Sequence, residues 1–114
     1  SIDVDALLDE FFTLYFGSAS EPMKQFYLTI EKIACDPNNY PEPYYKKNGI
    51  DWKNVAWTTL GTEQRMETLG SYIAEAEQLA STPEEKLHVY QWRQALWEWM
   101  CQGRQEYLKS NPKN

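Results

Sequence analysis

Apolar residues recur at helical spacing along almost the whole chain, in four separate segments. In the first, Val4, Leu7, Leu8, Phe11, Phe12, Leu14 and Tyr15 make a wide apolar face and predict a helix from about residue 4 to 16. Asp3 is placed to accept from its first free N–H groups, and Gly17 to end it. The second segment starts at once, with Ser20 as N-cap and Pro22 in the first turn, where a missing N–H costs nothing. Met23, Phe26, Tyr27, Ile30, Ile33 and Ala34 follow, and the helix stops before Asp36-Pro37 because a residue preceding proline resists the α conformation. So short a join predicts an antiparallel pair. Thr62 caps a third helix, from Glu63 to about Ala80, whose inner face is Met66, Leu69, Tyr72, Ile73, Ala76, Leu79 and Ala80. Thr82 caps a fourth, which runs to about Lys109 and pairs with the third; Glu84 and Glu85 lie near its positive end. No hairpin signal and no repeat interrupts the pattern. The expected fold is all-α: one four-helix bundle-like domain spanning residues 1–114, with a long loop between helices two and three.

The fourth segment departs from simple amphipathicity. At 3.6 residues per turn, Leu87, Tyr90, Trp97, Cys101 and Leu108 form one stripe, Val89, Leu96, Met100 and Tyr107 a second, and Trp92, Ala95 and Trp99 a third. A helix apolar most of the way round is buried on most sides. It is therefore expected either to be the central helix of a tight bundle or to be covered in part by something outside this chain. The second option makes the chain a piece of a larger protein, and a start at Ser1-Ile2-Asp3 without Met fits either a trimmed chain or an internal fragment.

Residues 36–51 read as a loop, because Pro37, Pro41, Pro43, Gly49 and three asparagines punctuate them. The following stretch, Trp52 to Thr59, reads as a short helix or an extended approach. Long loops in small domains are often functional, and this one carries Tyr40, Tyr44 and Tyr45. The chain has 5 Trp, 8 Tyr and 4 Phe, enough to build a core without many Val or Ile and also to form flat platforms for sugar rings or partner surfaces. Tyr40, Tyr44, Tyr45, Trp52, Trp92 and Trp99 are the candidate ligand or interdomain contacts. Against this stands the plainer expectation that the loop tyrosines fold back onto the bundle.

The net charge of −6 argues against nucleic-acid binding and against an anionic membrane surface, since both need clustered Lys and Arg. No apolar run is long enough for membrane insertion. Cys35 and Cys101 both fall on apolar faces of predicted helices and read as buried free thiols, with a disulfide between them as the alternative. One histidine cannot make a structural zinc site with two cysteines, which needs about four ligands. Glu85-Lys-Leu-His88 has the Glu-x-x-His spacing of di-iron bundles, but a second copy would need a second histidine. Cys101 lies 13 positions from His88, roughly 20 Å along one helix, too far for a nucleophile–base pair. Nothing in the spacing of Glu10, Glu21, Glu31, Asp36, Glu42 or Asp51 marks a pair for glycoside cleavage. No catalytic, cofactor-binding or metal-binding residue is therefore assigned, and the chain is not expected to be an enzyme by itself.

Leu8-Asp9-Glu10-Phe11-Phe12-Thr13-Leu14-Tyr15-Phe16-Gly17-Ser18-Ala19, running into Glu21-Pro22-Met23-Lys24-Gln25-Phe26-Tyr27 and Ile30-Glu31, resembles a signature found after the barrel of certain large bacterial carbohydrate-active proteins. The family it resembles is domain of unknown function 4838, in which a glycosidase-like (β/α)₈ barrel is followed by a helical region. Residues 60–64, 74–77 and 86–89 are similar to the helix pair that closes that region. The resemblance implies a non-catalytic helical accessory domain that packs against other domains of a glycoside-hydrolase-like parent, in the periplasm or at the cell surface. It carries no catalytic residue over, because those lie on the barrel. Two other functions stay open: a protein-interaction module acting through Trp92, Trp97 or Trp99, and a carbohydrate-binding module acting through Tyr40, Tyr44, Tyr45 and Trp52.

Overall fold

A computed structural model describes residues 3–40 and 52–112 of the chain. Among the described residues every regular element is helical, and the domain is an all-α bundle. Helix α1 spans Val4–Phe16, and its N-cap Asp3 accepts from the Ala6 N–H at 3.1 Å. It ends at Gly17, whose φ of 54° lies where a side chain is strained. A single 3₁₀ turn, Gly17–Ala19, leads into α2, Ser20–Cys35. Ser20 is thus the first helical residue and makes no side-chain cap; the 3₁₀ turn carries the chain round the corner instead.

The next α-helix among the described residues, α3 (Trp52–Val55), continues without a break into a π-helical turn, Ala56–Leu60. Helix α4 spans Glu63–Leu79 with Thr62 as its cap. The last segment is one rod in three parts: α5 (Pro83–Trp92), capped by Thr82, a π-helical turn Arg93–Glu98, and α6 (Trp99–Ser110).

The core is built by α1, α2 and α4. Phe12, Phe16, Ala19, Met23, Phe26, Met66, Leu69, Ile73, Ala76 and Ala80 are buried together, and Val89 is the one residue of the rod among them. Phe12 is its aromatic centre, with ring contacts to Phe11, Phe16, Tyr27 and Trp92 at 5.3–5.7 Å. Helix α2 packs on both α1 and α4, with α4 as its most extensive neighbour, and α5 lies against α1 and α4. The shortest dimension of the molecule is 19 Å, which is two helices thick at the usual 8–10 Å between axes.

A slab of two layers cannot enclose a helix, and the rod is not the core. Leu87, Tyr90, Leu96 and Trp99 are exposed, Trp99 at 69 %. Of the two expectations for this segment, the central helix of a tight bundle fails, and the π turn resets the helical register. Val89 and Trp92 face inward, the next inward residue is Trp97, and Met100 and Cys101 follow. The step from Trp92 to Trp97 is five residues, the spacing of a π turn rather than an α turn. Residues that fall on three stripes at 3.6 per turn therefore belong to one inner face and a solvated remainder. The wide face of α1 is also only half used: Leu8, Phe12, Tyr15 and Phe16 face the core, whereas Val4, Leu7, Phe11 and Leu14 face outward. On α4, Leu79 is exposed too.

Cys35 is exposed and Cys101 half-buried, and both thiols are free. Cys35 is the last residue of α2, at the point where the helix stops before Asp36. Among the described residues no helix is long and apolar enough to cross a membrane.

Candidate functional site

A groove of about 750 Å³ lies between the α3–π segment and α6, within the size range of small-ligand sites. Trp52, Lys53, Ala56 and Trp57 form one wall. Trp99, Gln102, Gly103, Glu106 and Tyr107 form the other, with Ser110 and Asn111 at its end. Two of its three indoles present open area, Trp52 at 56 % and Trp99 at 69 % exposure.

The third indole, Trp57, is what holds the walls together. A Cβ placed on Gly103 would stand 2.8 Å from Trp57 Cζ2, and one on Gly61 would stand 2.8 Å from Cε3. The ring thus fits only because α6 has no side chain where they meet. Arg104, the next residue, donates from Nη1 to the Trp57 carbonyl at 3.1 Å and the Gly61 carbonyl at 2.6 Å. Arg65 does the same from α4, donating to the Thr59 carbonyl at 2.6 Å and the Leu60 carbonyl at 3.2 Å. The last carbonyls of a helix have no partner inside it, and two guanidinium groups here supply one while opposing the negative end of the dipole. At the groove itself Asn54 Nδ2 donates to the Tyr107 hydroxyl at 3.0 Å, tying α3 to α6. Within the π turn Thr58 and Thr59 donate to the Asn54 and Val55 carbonyls at 2.7 and 2.8 Å, a local bond pattern that bends helices. Short helix, π turn, two threonines and two arginines together aim Trp52 and Trp57 at α6.

Two of the six aromatic candidates, Trp52 and Trp99, meet in this groove. Trp92 does not join them. Its ring lies edge-on to Phe12 at 5.7 Å and Phe16 at 5.1 Å, so it is a core contact between α5 and α1. Trp97 likewise packs edge-on to Phe26 at 6.4 Å and is half-buried. Tyr40 follows the plainer expectation and folds back: its hydroxyl donates to the Ala34 carbonyl of α2 at 2.6 Å. Tyr44 and Tyr45 lie outside the described residues. Trp57, Gln102, Glu106 and Tyr107 are groove residues that sequence reasoning missed. One signal was available: a glycine inside a helical pattern, Gly103, usually has a packing reason.

The Glu-x-x-His pair is used for structure. Glu85 Oε1 accepts from the Ser81 N–H at 3.0 Å, the Ser18 hydroxyl at 2.9 Å and the Ser81 hydroxyl at 3.1 Å, while its own N–H donates to Thr82 Oγ1 at 3.1 Å. These donors, the Ser81 backbone first, hold its carboxyl down to about 2, far below the usual carboxylate range. Glu85 thereby joins the start of α5 to the α1–α2 corner. His88 stacks on Tyr15 with ring centres 3.7 Å apart, and its Nδ1 lies 2.6 Å from the Tyr15 carbonyl, which only accepts, so Nδ1 carries the proton. The Tyr15 hydroxyl in turn donates to Gln91 Oε1 at 3.1 Å. Among the described residues no three His, Cys, Asp or Glu side chains gather where they could hold a metal.

No protein-family model, curated protein sequence or solved structure matches this chain.

Proposed function

We propose that this chain is a non-catalytic helical accessory module of a bacterial polysaccharide-processing protein, placed beside a glycoside-hydrolase-like barrel outside the cytoplasm, and that the groove between α3 and α6 is where it meets a glycan. The observation that carries this reading is the gathering of two exposed indoles and hydrogen-bonding side chains in one groove: Trp52 and Trp99 with Gln102, Glu106 and Asn111. A pyranose ring has an apolar C–H face and an equator of hydroxyls. The first suits an indole platform, and the second suits amide and carboxylate groups that donate and accept in the same plane. The resemblance of residues 8–31 to the helical region of barrel-bearing carbohydrate-active proteins supports the class of parent.

Titration with a panel of bacterial, plant and host oligosaccharides, followed by tryptophan fluorescence, tests the reading. A saturable change that disappears in Trp99→Ala and in Trp52→Ala, with the helical circular dichroism unchanged, supports it. A panel without any response, or a response that survives both substitutions, refutes the groove as a glycan contact.

A further inference from the structure

The outward face of α1 carries a second surface, independent of the groove. Val4, Leu7, Phe11 and Leu14 are all exposed, Leu14 at 78 %. Their spacing is three, four and three, the a and d positions of two successive heptads and the seam along which a second helix packs. The seam is about 15 Å long at 1.5 Å per residue. Its two flanks differ. On one side the e positions are Leu8 and Tyr15, which pack against the domain's own core, Tyr15 stacked on His88. On the other side the g position is Glu10, and Asp3, the N-cap whose carboxylate accepts from the Ala6 N–H, lies at the start of the same border; both are exposed. Residues 3–16 hold four carboxylates and no Lys, Arg or His. One of the four, Asp9, is paired with Lys24 of α2 on the inner side.

We propose that this face is a docking seam for an amphipathic helix of a partner, with apolar residues in the groove and Lys or Arg opposite Asp3 and Glu10. The charge decides the occupant. A second copy packed antiparallel would set Asp3 and Glu10 against the same two carboxylates, and like charges across a seam are repulsive. A second copy packed parallel would set them against Leu8 and Tyr15, which are engaged inside their own domain and bring no cation. A basic helix satisfies both the apolar stripe and its acidic border. Two heptads make a short seam, so the docking is reversible rather than permanent, and the border supplies orientation and choice of partner more than strength.

The test uses the whole 114-residue chain and two labelled 21-residue helical peptides, with Leu at a and d. One carries Lys at e and g, and its twin carries Glu. Fluorescence anisotropy should show saturable binding of the Lys peptide and binding about tenfold weaker or absent for the Glu twin. Leu7→Ser and Leu14→Ser change no charge and touch only exposed positions. Together they should weaken the Lys peptide by about tenfold or more, because the area it covers is no longer apolar. Glu10→Lys should reduce the preference for the Lys peptide over its twin. Binding of the Lys peptide that the two serine substitutions leave unchanged would be bulk attraction to an acidic chain and would overturn the proposal. So would a failure of the Lys peptide to bind, or a dimer of the chain that Leu14→Ser dissolves, which would make the occupant a second copy.

Discussion

Replacing Gly103 by Ala sets two well-calibrated effects against each other. The residue lies inside α6, where Gly costs about 1 kcal/mol relative to Ala, so helix propensity alone predicts a more stable protein. The added Cβ would, however, stand 2.8 Å from Trp57 Cζ2, with Cη2 and Cε2 at 3.6 and 3.7 Å. The ring has little room to retreat, since its other edge lies against Gly61 and its own carbonyl is held by Arg104. Overpacking of this kind costs about 1–3 kcal/mol. The sum is a net loss of about 1 kcal/mol, or a fall in melting temperature of about 4 °C for a domain of this size. In a Trp57→Leu background the clashing atoms are gone, and the same Gly103→Ala change should stabilise by about 0.5–1 kcal/mol. The sign reverses, and the coupling between the two positions is about 2 kcal/mol. Urea unfolding of the four proteins of the cycle, followed by circular dichroism at a common slope, measures it. If Gly103→Ala stabilises both backgrounds alike, the Trp57–Gly103 contact does not join α3 to α6, and the walls of the groove are not held as described.

Three further outcomes follow from the same structure. Phe12→Ala removes a side chain 2 % exposed with four aromatic neighbours and should lower unfolding free energy by about 3–5 kcal/mol, whereas Leu14→Ser, two residues along the same helix, should change it by less than about 0.5 kcal/mol; chemical denaturation of both variants distinguishes a core residue from a surface one. Glu85 has a folded pKa of about 2, below its ordinary value of 4.5, so its contribution is present above about pH 4.5 and is lost as pH falls towards 2. Glu85→Gln should accordingly melt below the parent protein at pH 7, and the gap should close steadily between pH 4.5 and 2; a gap independent of pH would contradict the assignment. Of the two thiols, exposed Cys35 should react with a disulfide reagent at the rate of an ordinary surface cysteine, and Cys101, whose thiol is pushed up chiefly by burial, should lag well behind until the protein unfolds.

Much of this fold can be read from local chemistry alone. The caps at Asp3, Thr62 and Thr82 are side-chain-to-backbone bonds within one turn, and α1 spans the expected residues because both its cap and its glycine stop are local. The proline after Asp36 ends α2 for an equally local reason. Both ends of α1, the C-terminal end of α2, the capped starts of α4 and α5, and the absence of sheet among the described residues were therefore determined by the sequence by itself.

What faces inward was decided by tertiary structure. Sequence periodicity assumes a constant 3.6 residues per turn, and the π turn at Arg93–Glu98 breaks that assumption in the middle of the rod. Whether an extra residue is accommodated there depends on which neighbour each side chain meets: Trp92 against Phe12 and Phe16 just before the turn, Trp97 against Phe26 within it. Trp92 and Trp99 looked equivalent along the chain, as apolar positions of one stripe, but the first is enclosed by α1 and the second is left in the groove. The groove has the same origin, since Trp52 and Trp57 meet Trp99 and Gly103 across more than forty residues. A residue's spacing fixes which side of a helix it occupies, but only the packing of distant helices fixes which side is covered.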